Sequence, residues 1–452
     1  MGHMVGKDLY ELLGEKIDNL TAHTPRTKKL YEILKLLYSK EEAEFVIKMP
    51  YNLSNLNRLV SVTKYSEDKV KKILDTACSK GLIMDFFVNN EYYYLPSPII
   101  IGFFEFTLMR TGGNVHTDVL AKLFYDYLEN NPEIIKKNFG KDKKISILRT
   151  LPHEESIKES FYNEILDYEK ARAIIKQSSK FAISTCACRH EKTHLGIRKC
   201  TNPLDTCSSF DRWAEMAIRH KFGKEVSKEE MLENLERSKH LGLVLNADNV
   251  KNNVGFICHC CKCCCTGLAA YNKYGGQNII VTSTFINSID DDKCNGCGVC
   301  AKICPVNAIT MQPETDPKSG ISTSLPRKYS GQVEIKKQKP VIDESRCLGC
   351  GVCGLKCPKG AAKLVKRKQR VLHPDTTFER VVLQCLERGT LQNQIFDDPS
   401  SISHNVMRRF IGTFLKLDPV KKTLMSEMFR SSFLASLKTG AKIIGKKWMT
   451  EI

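Results

Sequence analysis

The sequence predicts an α+β chain with a mainly helical N-terminal half, a cysteine-rich region after it and a helical tail. Three observations predict this. Apolar residues recur at helical spacing between Thr27 and Lys80 and again beyond residue 370, and a β-rich stretch folded at Asn89-Asn90 follows the first of these runs. In addition, 18 of the 20 cysteines fall between Cys186 and Cys357. With 452 residues, 42% hydrophobic and 27% charged, the chain can build several packed units, and neither a disordered nor a fibrous class fits.

Between Thr27 and Lys48 the apolar positions Leu30, Ile33, Leu34, Leu37, Ala43, Val46 and Ile47 read as helices. Leu53 to Val60 is a short helix, Thr63-Lys64-Tyr65 a turn, and Ser66 caps a longer helix that runs through Val70, Ile73, Leu74 and Ala77 to a stop at Gly81. Leu82 to Leu95 then supplies a hairpin. Helix, turn, helix and hairpin is the order of a winged-helix-like module, expected over residues 1–97, with Met1-Gly2-His3 ahead of Met4 read as a cloning remnant. Its second helix carries Lys69, Lys71, Lys72 and Lys80 but also Glu67, Asp68 and Asp75, and it has no arginine to read guanine edges. A structural or partner-docking role is therefore expected over DNA binding.

Residues 98–180 read as a helical platform, from the aromatic segment Ile99 to Met109 through to Tyr168 to Lys180. Residues 181–290 form the cysteine-rich region, interrupted by an amphipathic helical stretch from Asp211 to Leu245. Residues 291–363 carry two further cysteine runs, joined by a Pro-, Gly-, Ser- and Lys-rich connection from Gln312 to Ser345 that reads as a loop or extended hairpin. Residues 364–452 form a basic helical tail; from Lys363 to the end there are 17 Lys and Arg against 8 Asp and Glu, half of the chain's net charge of +18. In it Leu424, Met428, Phe429, Leu434, Leu437, Ala441, Ile444 and Trp448 make a helical stripe. Such a stripe would pack on its own protein or, less expected, lie against a membrane surface. The apolar run Pro98 to Met109 is far short of the roughly 18 to 20 residues that span a bilayer, so a cytoplasmic protein is expected.

In that compartment dense cysteine reads as metal ligation rather than as disulfides. Cys294-x2-Cys297-x2-Cys300-x3-Cys304-Pro305 and Cys347-x2-Cys350-x2-Cys353-x3-Cys357-Pro358 are the bacterial ferredoxin run, twice. Three thiolates spaced by two residues wrap one corner of a cubane, and the glycines Gly296, Gly298, Gly349 and Gly351 let the loop turn tightly. The fourth cysteine reaches the other cluster. Cys294, Cys297, Cys300 and Cys357 are thus expected on one [4Fe–4S] centre, and Cys347, Cys350, Cys353 and Cys304 on the second. Zinc shares the Cys-x2-Cys spacing, but two complete four-cysteine runs ending in Cys-Pro argue against it.

Two more groups remain. Cys186, Cys188, Cys200 and Cys207 suffice for one further centre, iron–sulfur or zinc, with Arg189 to offset its negative charge and His190 and His194 as ordinary hydrogen-bonding residues. Cys258, Cys260, Cys261, Cys263, Cys264 and Cys265 cannot all ligate one cubane, and are expected to divide between a fourth cluster and the third or to build a non-standard centre. Here His259 or Lys262 would donate a proton to any substrate. Each oxidised cubane with four thiolates carries about two negative charges, which offsets part of the positive excess.

The arrangement resembles a largely uncharacterised family of multi-cluster ferredoxin-type proteins of anaerobic bacteria and archaea. The resemblance rests on Cys186 to Arg189, Ile257 to Cys265 and the two ferredoxin runs, after a winged-helix-like N-terminus. It implies electron transfer without fixing a substrate. No dinucleotide fingerprint, phosphate loop or nucleophile elbow occurs in the sequence. The expected function is a relay of single low-potential electrons from the dicluster unit to the cysteine-rich centre. It would serve a redox donor and acceptor and act as a ferredoxin-linked oxidoreductase or as an activator of a metalloenzyme. A redox-responsive winged-helix regulator and an electron-transfer subunit of a larger complex are the alternatives.

Overall fold

The computed structural model describes residues 8–110, 117–140, 142–275, 278–313, 338–369, 371, 373–443 and 446–450. The Met1-Gly2-His3 segment, most of the Gln312–Ser345 connection, Arg370 and Ile444 lie outside these residues.

The first helical run is two helices, because Tyr38 is extended and Ser39 begins a new helix. Thr27 caps Lys28–Leu37, and Ser39 with Glu42 makes a reciprocal capping box on Lys40–Lys48. Asn55 caps Leu56–Thr63, and Lys64 closes that helix at φ 61° ahead of Glu67–Ser79. The hairpin follows: β2 (Ile83–Val88) pairs with β3 (Glu91–Pro96), which also pairs with the short β1 (Ser54–Asn55). Asn89 and Asn90 both take positive φ at the turn, 50° and 61°, as a two-residue hairpin loop requires. Leu30, Ile33, Leu34, Phe45, Val46, Val70, Ile73 and Leu74 are buried together in one core.

Residues 98–180 are not helical throughout. Helices Phe104–Met109, Thr117–Leu128, Pro132–Phe139 and Ala171–Gln177 are separated by β4 (Leu148–Leu151) and by 3₁₀ turns between Glu154 and Glu169. Four residues buried along most of their length are too few to show a strand period. That strand belongs to a seven-stranded sheet whose other members are β5 (Phe181–Thr185), β6 (Asp205–Phe210), β7 (Gly223–Glu225), β8 (Val244–Asp248), β9 (Phe256–Cys260) and β10 (Ile280–Val281). Their order is β10-β4-β8-β9-β6-β5-β7, antiparallel except for β10 on β4. The sheet draws strands from both sides of residue 180. The stretch Asp211 to Leu245 is likewise two helices, Asp211–Arg219 and Lys228–His240, with β7 between them. Lys221 turns the chain at φ 57° and a Ser227–Glu230 capping box restarts the helix. Ala171, Ile174, Met231 and Leu235 pack under the sheet in a core shared with Ile257.

Each ferredoxin-type run is framed by strands. β11 (Phe285–Ile289) precedes the first run and pairs antiparallel with β14 (Ala362–Lys366), which follows the second. β12 (Ile309–Pro313) leaves the first and pairs with β13 (Gln338–Ile342), which enters the second. The connection between the runs therefore departs from and returns to a hairpin.

The tail comprises helices Thr377–Arg388, Leu391–Ile395, Ile402–Leu415, Asp418–Met425 and Glu427–Ile443. It folds back on the N-terminal helices: Tyr51 N–H donates to the Asp397 carbonyl, Arg58 pairs with Asp397 at 2.5 Å, and Trp448 packs against Tyr93 with ring centroids 4.1 Å apart and planes tilted by 44°. The expected stripe is broken between two helices. Leu434 is buried and Leu437 packs beside it, whereas Met428 is 79% exposed. Among the described residues no helix is long and apolar enough to cross a membrane.

Candidate metal centres

Cys294, Cys297, Cys300 and Cys357 line one pocket, walled by Ile289, Val299, Met311 and Pro340. Gly296 and Gly298 turn the loop at φ 74° and 72°, and Gly298 opens the short helix Val299–Ile303 that carries Cys300. Cys357 closes the pocket from the other run. Burial raises the pKa of its thiol, but the amide N–H groups of Ala362, Lys359, Ala361 and Gly360 outweigh that and hold it below the ordinary value. Cys347, Cys350 and Cys353 gather with Cys304, the nearest thiol charges to Cys350 being those of Cys304 and Cys347. Burial pushes Cys350 up to about 12. The Ala308 N–H donates to the Cys304 sulfur at 3.2 Å. Cys357 of the second run thus lines the pocket of the first, and the charge of Cys304 of the first run reaches Cys347, Cys350 and Cys353 of the second. The sets differ in access: Cys297 is exposed and Cys294 partly so, whereas all four sulfurs of the second set are on buried residues.

The ten cysteines between Cys186 and Cys265 fall into two sets that differ from the expected groups. Cys186, Cys188, Cys207, Cys258, Cys260 and Cys265 form a closed ring. Neighbouring thiols shift one another's pKa all round it: Cys186 with Cys188 and Cys207, Cys207 with Cys258, Cys258 with Cys260, Cys260 with Cys265, and Cys265 with Cys188. Cys200 stands apart from Cys186, Cys188 and Cys207. It meets Cys261, Cys263 and Cys264 instead, and all four sulfurs lie within 4.8 Å of one another. Strand geometry explains the division. Cys258 and Cys260 are alternate residues of β9 and so face the same side, whereas the turn after β9 carries Cys261 to Cys264 away, before Cys265 starts the helix Thr266–Tyr274.

Arg189 stands between the two sets and is fully buried. Its guanidinium donates to Thr206 Oγ1 at 2.7 Å and to the carbonyls of Pro203 and His259. Burial opposes its charge, but the thiols of Cys186, Cys261 and Cys207 hold its pKa above the usual arginine value. The offsetting charge expected of Arg189 thus faces both sets. His190 and His194 join neither: His190 Nδ1 meets the Leu108 carbonyl at 2.6 Å, and His194 Nδ1 meets Asp118 at 2.5 Å. His259 is buried against Ser208 Oγ at 2.9 Å, and burial followed by the Arg189 charge holds its imidazole down to about 3. Lys262 Nζ donates to the Lys302 carbonyl at 3.4 Å, which ties the turn to the first ferredoxin run.

Three residues near the ring escaped sequence reading. Asn246, on β8 and paired across the ladder with Cys258, keeps its buried Nδ2 without a hydrogen-bond partner and lowers the pKa of Cys260, while the Thr266 amide lowers that of Cys188. Glu105, whose pKa burial raises to about 8, stands close enough to Cys188 to feel its charge and accepts the Gly102 N–H at 3.0 Å. None has a local motif, because each reaches the ring from a different element. Asn246 arrives through the pairing of β8 with β9, Glu105 from the helix Phe104–Met109 and Thr266 from the start of the helix Thr266–Tyr274.

The family model described as the 4Fe-4S dicluster domain matches residues 293–361. Over 90 residues the chain is 29% identical to Ferredoxin-3 of Rhodobacter capsulatus, a span that is 20% of this chain and 86% of that protein. It is 31% identical over 78 residues to Ferredoxin-3 of a Nostoc species, covering 17% of this chain and 75% of the relative. A shorter match of 40 residues, 45% identical, covers 9% of this chain and 40% of pyruvate synthase subunit PorD of Thermotoga maritima. No solved structure matches the chain.

Proposed function

This chain belongs to the 4Fe-4S dicluster ferredoxins through residues 293–361, and we propose that it spends their electron-transfer chemistry on its own cysteine-rich region. The domain implies two [4Fe–4S] clusters, and the ten further cysteines between Cys186 and Cys265 suggest more. In this reading the partly exposed set of Cys294, Cys297, Cys300 and Cys357 receives single low-potential electrons. The buried set of Cys347, Cys350, Cys353 and Cys304 passes them on, and the six-thiol ring is the acceptor, as exit port or reductive centre.

One observation carries this. Cys260 and Cys265 of the ring share a single packed core with Cys300, Cys304, Cys347, Cys350 and Cys353, so buried apolar packing connects the two regions. A second contact supports the same junction, since the His153 N–H, next to β4, donates to the Cys350 carbonyl at 3.0 Å. The ring fits a cluster chemically. Four of its thiolates would satisfy one cubane with two to spare, and Arg189 with the amide of Asn246 would supply the charge and hydrogen bonds that such an anion needs. When bound, the clusters supply one-electron storage. The residues of the chain hold them, exclude water and set their potential.

The winged-helix-like module and the five-unit division belong to this proposal as scaffolding for a cytoplasmic relay. A regulator that binds DNA is disfavoured, because Lys69, Lys71 and Lys80 of the second helix region are paired with Glu41, Glu67 and Glu42. The likeness to a subunit named for pyruvate synthase favours a larger metalloenzyme as the redox partner. The test is iron and acid-labile sulfide per chain from protein prepared without oxygen, followed by a reductive titration read by electron paramagnetic resonance. More than about eight irons, and a reducible signal lost in Cys258→Ser while the ferredoxin signals persist, is the expected result. About eight irons with an unchanged titration in the variant would sink the relay.

A further inference from the structure

The set formed by Cys200, Cys261, Cys263 and Cys264 is built differently from every other cysteine group in the molecule. Sulfur separations are 3.8 Å for Cys200 to Cys261, 3.8 Å for Cys200 to Cys264, 3.7 Å for Cys263 to Cys261 and 3.5 Å for Cys263 to Cys264. Among the described residues no other cysteines form a group of three or more whose sulfurs all lie within 4.8 Å of one another. The ferredoxin sets, which must accommodate a four-iron cage, are more open.

A tetrahedron of thiolates around one ion with metal–sulfur bonds of about 2.3 Å has edges of about 3.8 Å. That is the spacing observed. A four-iron cage cannot fit inside it, because a sulfur tetrahedron of this size encloses a single atom. Nor are these disulfides, whose sulfurs would stand about 2.05 Å apart. We infer that Cys200, Cys261, Cys263 and Cys264 bind one tetrahedral metal ion of the thiophilic class, zinc or a single iron, and not a fourth cubane.

The surroundings suit a closed structural site. Leu243 covers Cys261 and Cys264, both buried. The Cys200 loop is clamped by Arg198, whose Nε donates to the Cys200 carbonyl at 2.9 Å and whose Nη2 donates to the Asn202 carbonyl. Four thiolates around a divalent ion leave two negative charges, and Arg189 beside Cys261 offsets one of them from inside the fold. The chain order gives the ion its purpose. Cys186 and Cys188 precede Cys200 and Cys207 follows it, while Cys258 and Cys260 precede Cys261 and Cys265 follows Cys264. The ion therefore staples, near their middles, the two segments that supply all six sulfurs of the ring. It holds that ring in register without taking up electrons, if zinc.

The full chain, purified without oxygen, tests this by metal analysis and X-ray absorption at the zinc edge. One zinc per chain with four sulfur neighbours at about 2.3 Å is the expected result. If iron occupies the site, Mössbauer spectra instead show one tetrathiolate iron per chain apart from the clusters, which also supports the inference. The variant Cys200→Ser/Cys263→Ser loses that one ion and keeps the ferredoxin resonances. Absence of both zinc and isolated iron from the wild-type chain overturns the inference, whether or not the variant folds. So does appearance of a cubane signal that the double variant removes together with about four irons. Either failure leaves the relay to the six-thiol ring standing, because that is read from Cys258 and not from these residues.

Discussion

At Gly349 a single missing methyl decides whether a cluster can be housed. The residue sits at φ 66°, and a Cβ there would lie 2.0 Å from the Phe285 carbonyl oxygen and 2.3 Å from Ser283 Oγ. The Phe285 oxygen belongs to β11, which is held in the ladder with β14, so it has nowhere to retreat. Gly349→Ala is therefore expected to push the Cys347–Cys353 loop off its partners and to cost about four irons, one cluster's worth, by metal analysis. Gly360 is the control. It has φ 62° but open space around its would-be Cβ, so Gly360→Ala pays only backbone strain, on the order of 1 kcal/mol, and keeps its iron. Equal iron loss in the two variants would show that left-handed strain, not the collision, matters at Gly349.

Between elements, the hairpin of β2 and β3 is fastened to the cysteine-rich region by one buried carboxylate. Asp85, on β2, accepts from Arg219 Nε at 3.0 Å and His220 Nε2 at 2.7 Å, both at the end of helix Asp211–Arg219. Burial works against its charge, but hydrogen bonds from His220 and Arg219 hold its pKa below the usual carboxylate value. A depressed carboxylate stabilises the fold above its unfolded value of about 3.9, and that contribution is lost only as pH falls through the lower, folded value. Asp85→Ala should then cost roughly 1.5 to 3 kcal/mol at neutral pH, by leaving the half-buried Arg219 without its hydrogen-bonding partner. Denaturant midpoints should show the same penalty at pH 6 and pH 8. A penalty that vanishes between those values would contradict the assignment.

How far the elements were legible follows from the range of the forces that make them. The N-terminal helices announce themselves through caps and period, since Thr27, Ser39, Asn55 and the Asn89-Asn90 turn act within four residues of their targets. The ferredoxin runs are equally local. The seven-stranded sheet is not: its strands are two to six residues long and pair across up to about 130 positions, as β4 does with β10. The same range separates the cysteine assignments. Within a run, spacing alone says which sulfurs meet. Cys200 meets Cys261 only because β6 and β9 are neighbours, and adjacency in sequence with Cys207 pointed to the wrong set.

Over the whole molecule the basic tail acts as a clasp on the first helices, and Arg388 is its pin. Buried to 6% exposure, it donates to the Thr21 carbonyl at 2.6 Å and to the Asn138 carbonyl at 3.2 Å, while its own carbonyl meets His23 Nε2 at 2.8 Å. Burial lowers its pKa to about 10, so it remains charged at neutral pH. The adjacent Glu387 accepts the N–H groups of Lys144 and Ile145 at 2.8 and 3.0 Å. Two successive side chains thus join the tail to residues 21–23, 138 and 144–145, which otherwise belong to different helices and loops. Arg388→Ala leaves two carbonyls short of a charged donor and should cost about 1.5 to 3 kcal/mol. Because none of these contacts touches a thiol, hydrogen exchange should quicken in residues 19–24, 138–145 and 377–395 while iron content and the ferredoxin resonances hold. Loss of iron alongside the faster exchange would mean that the clasp supports the metal centres through the seven-stranded sheet, which the Asn249 N–H reaches through the Ile147 carbonyl just ahead of β4.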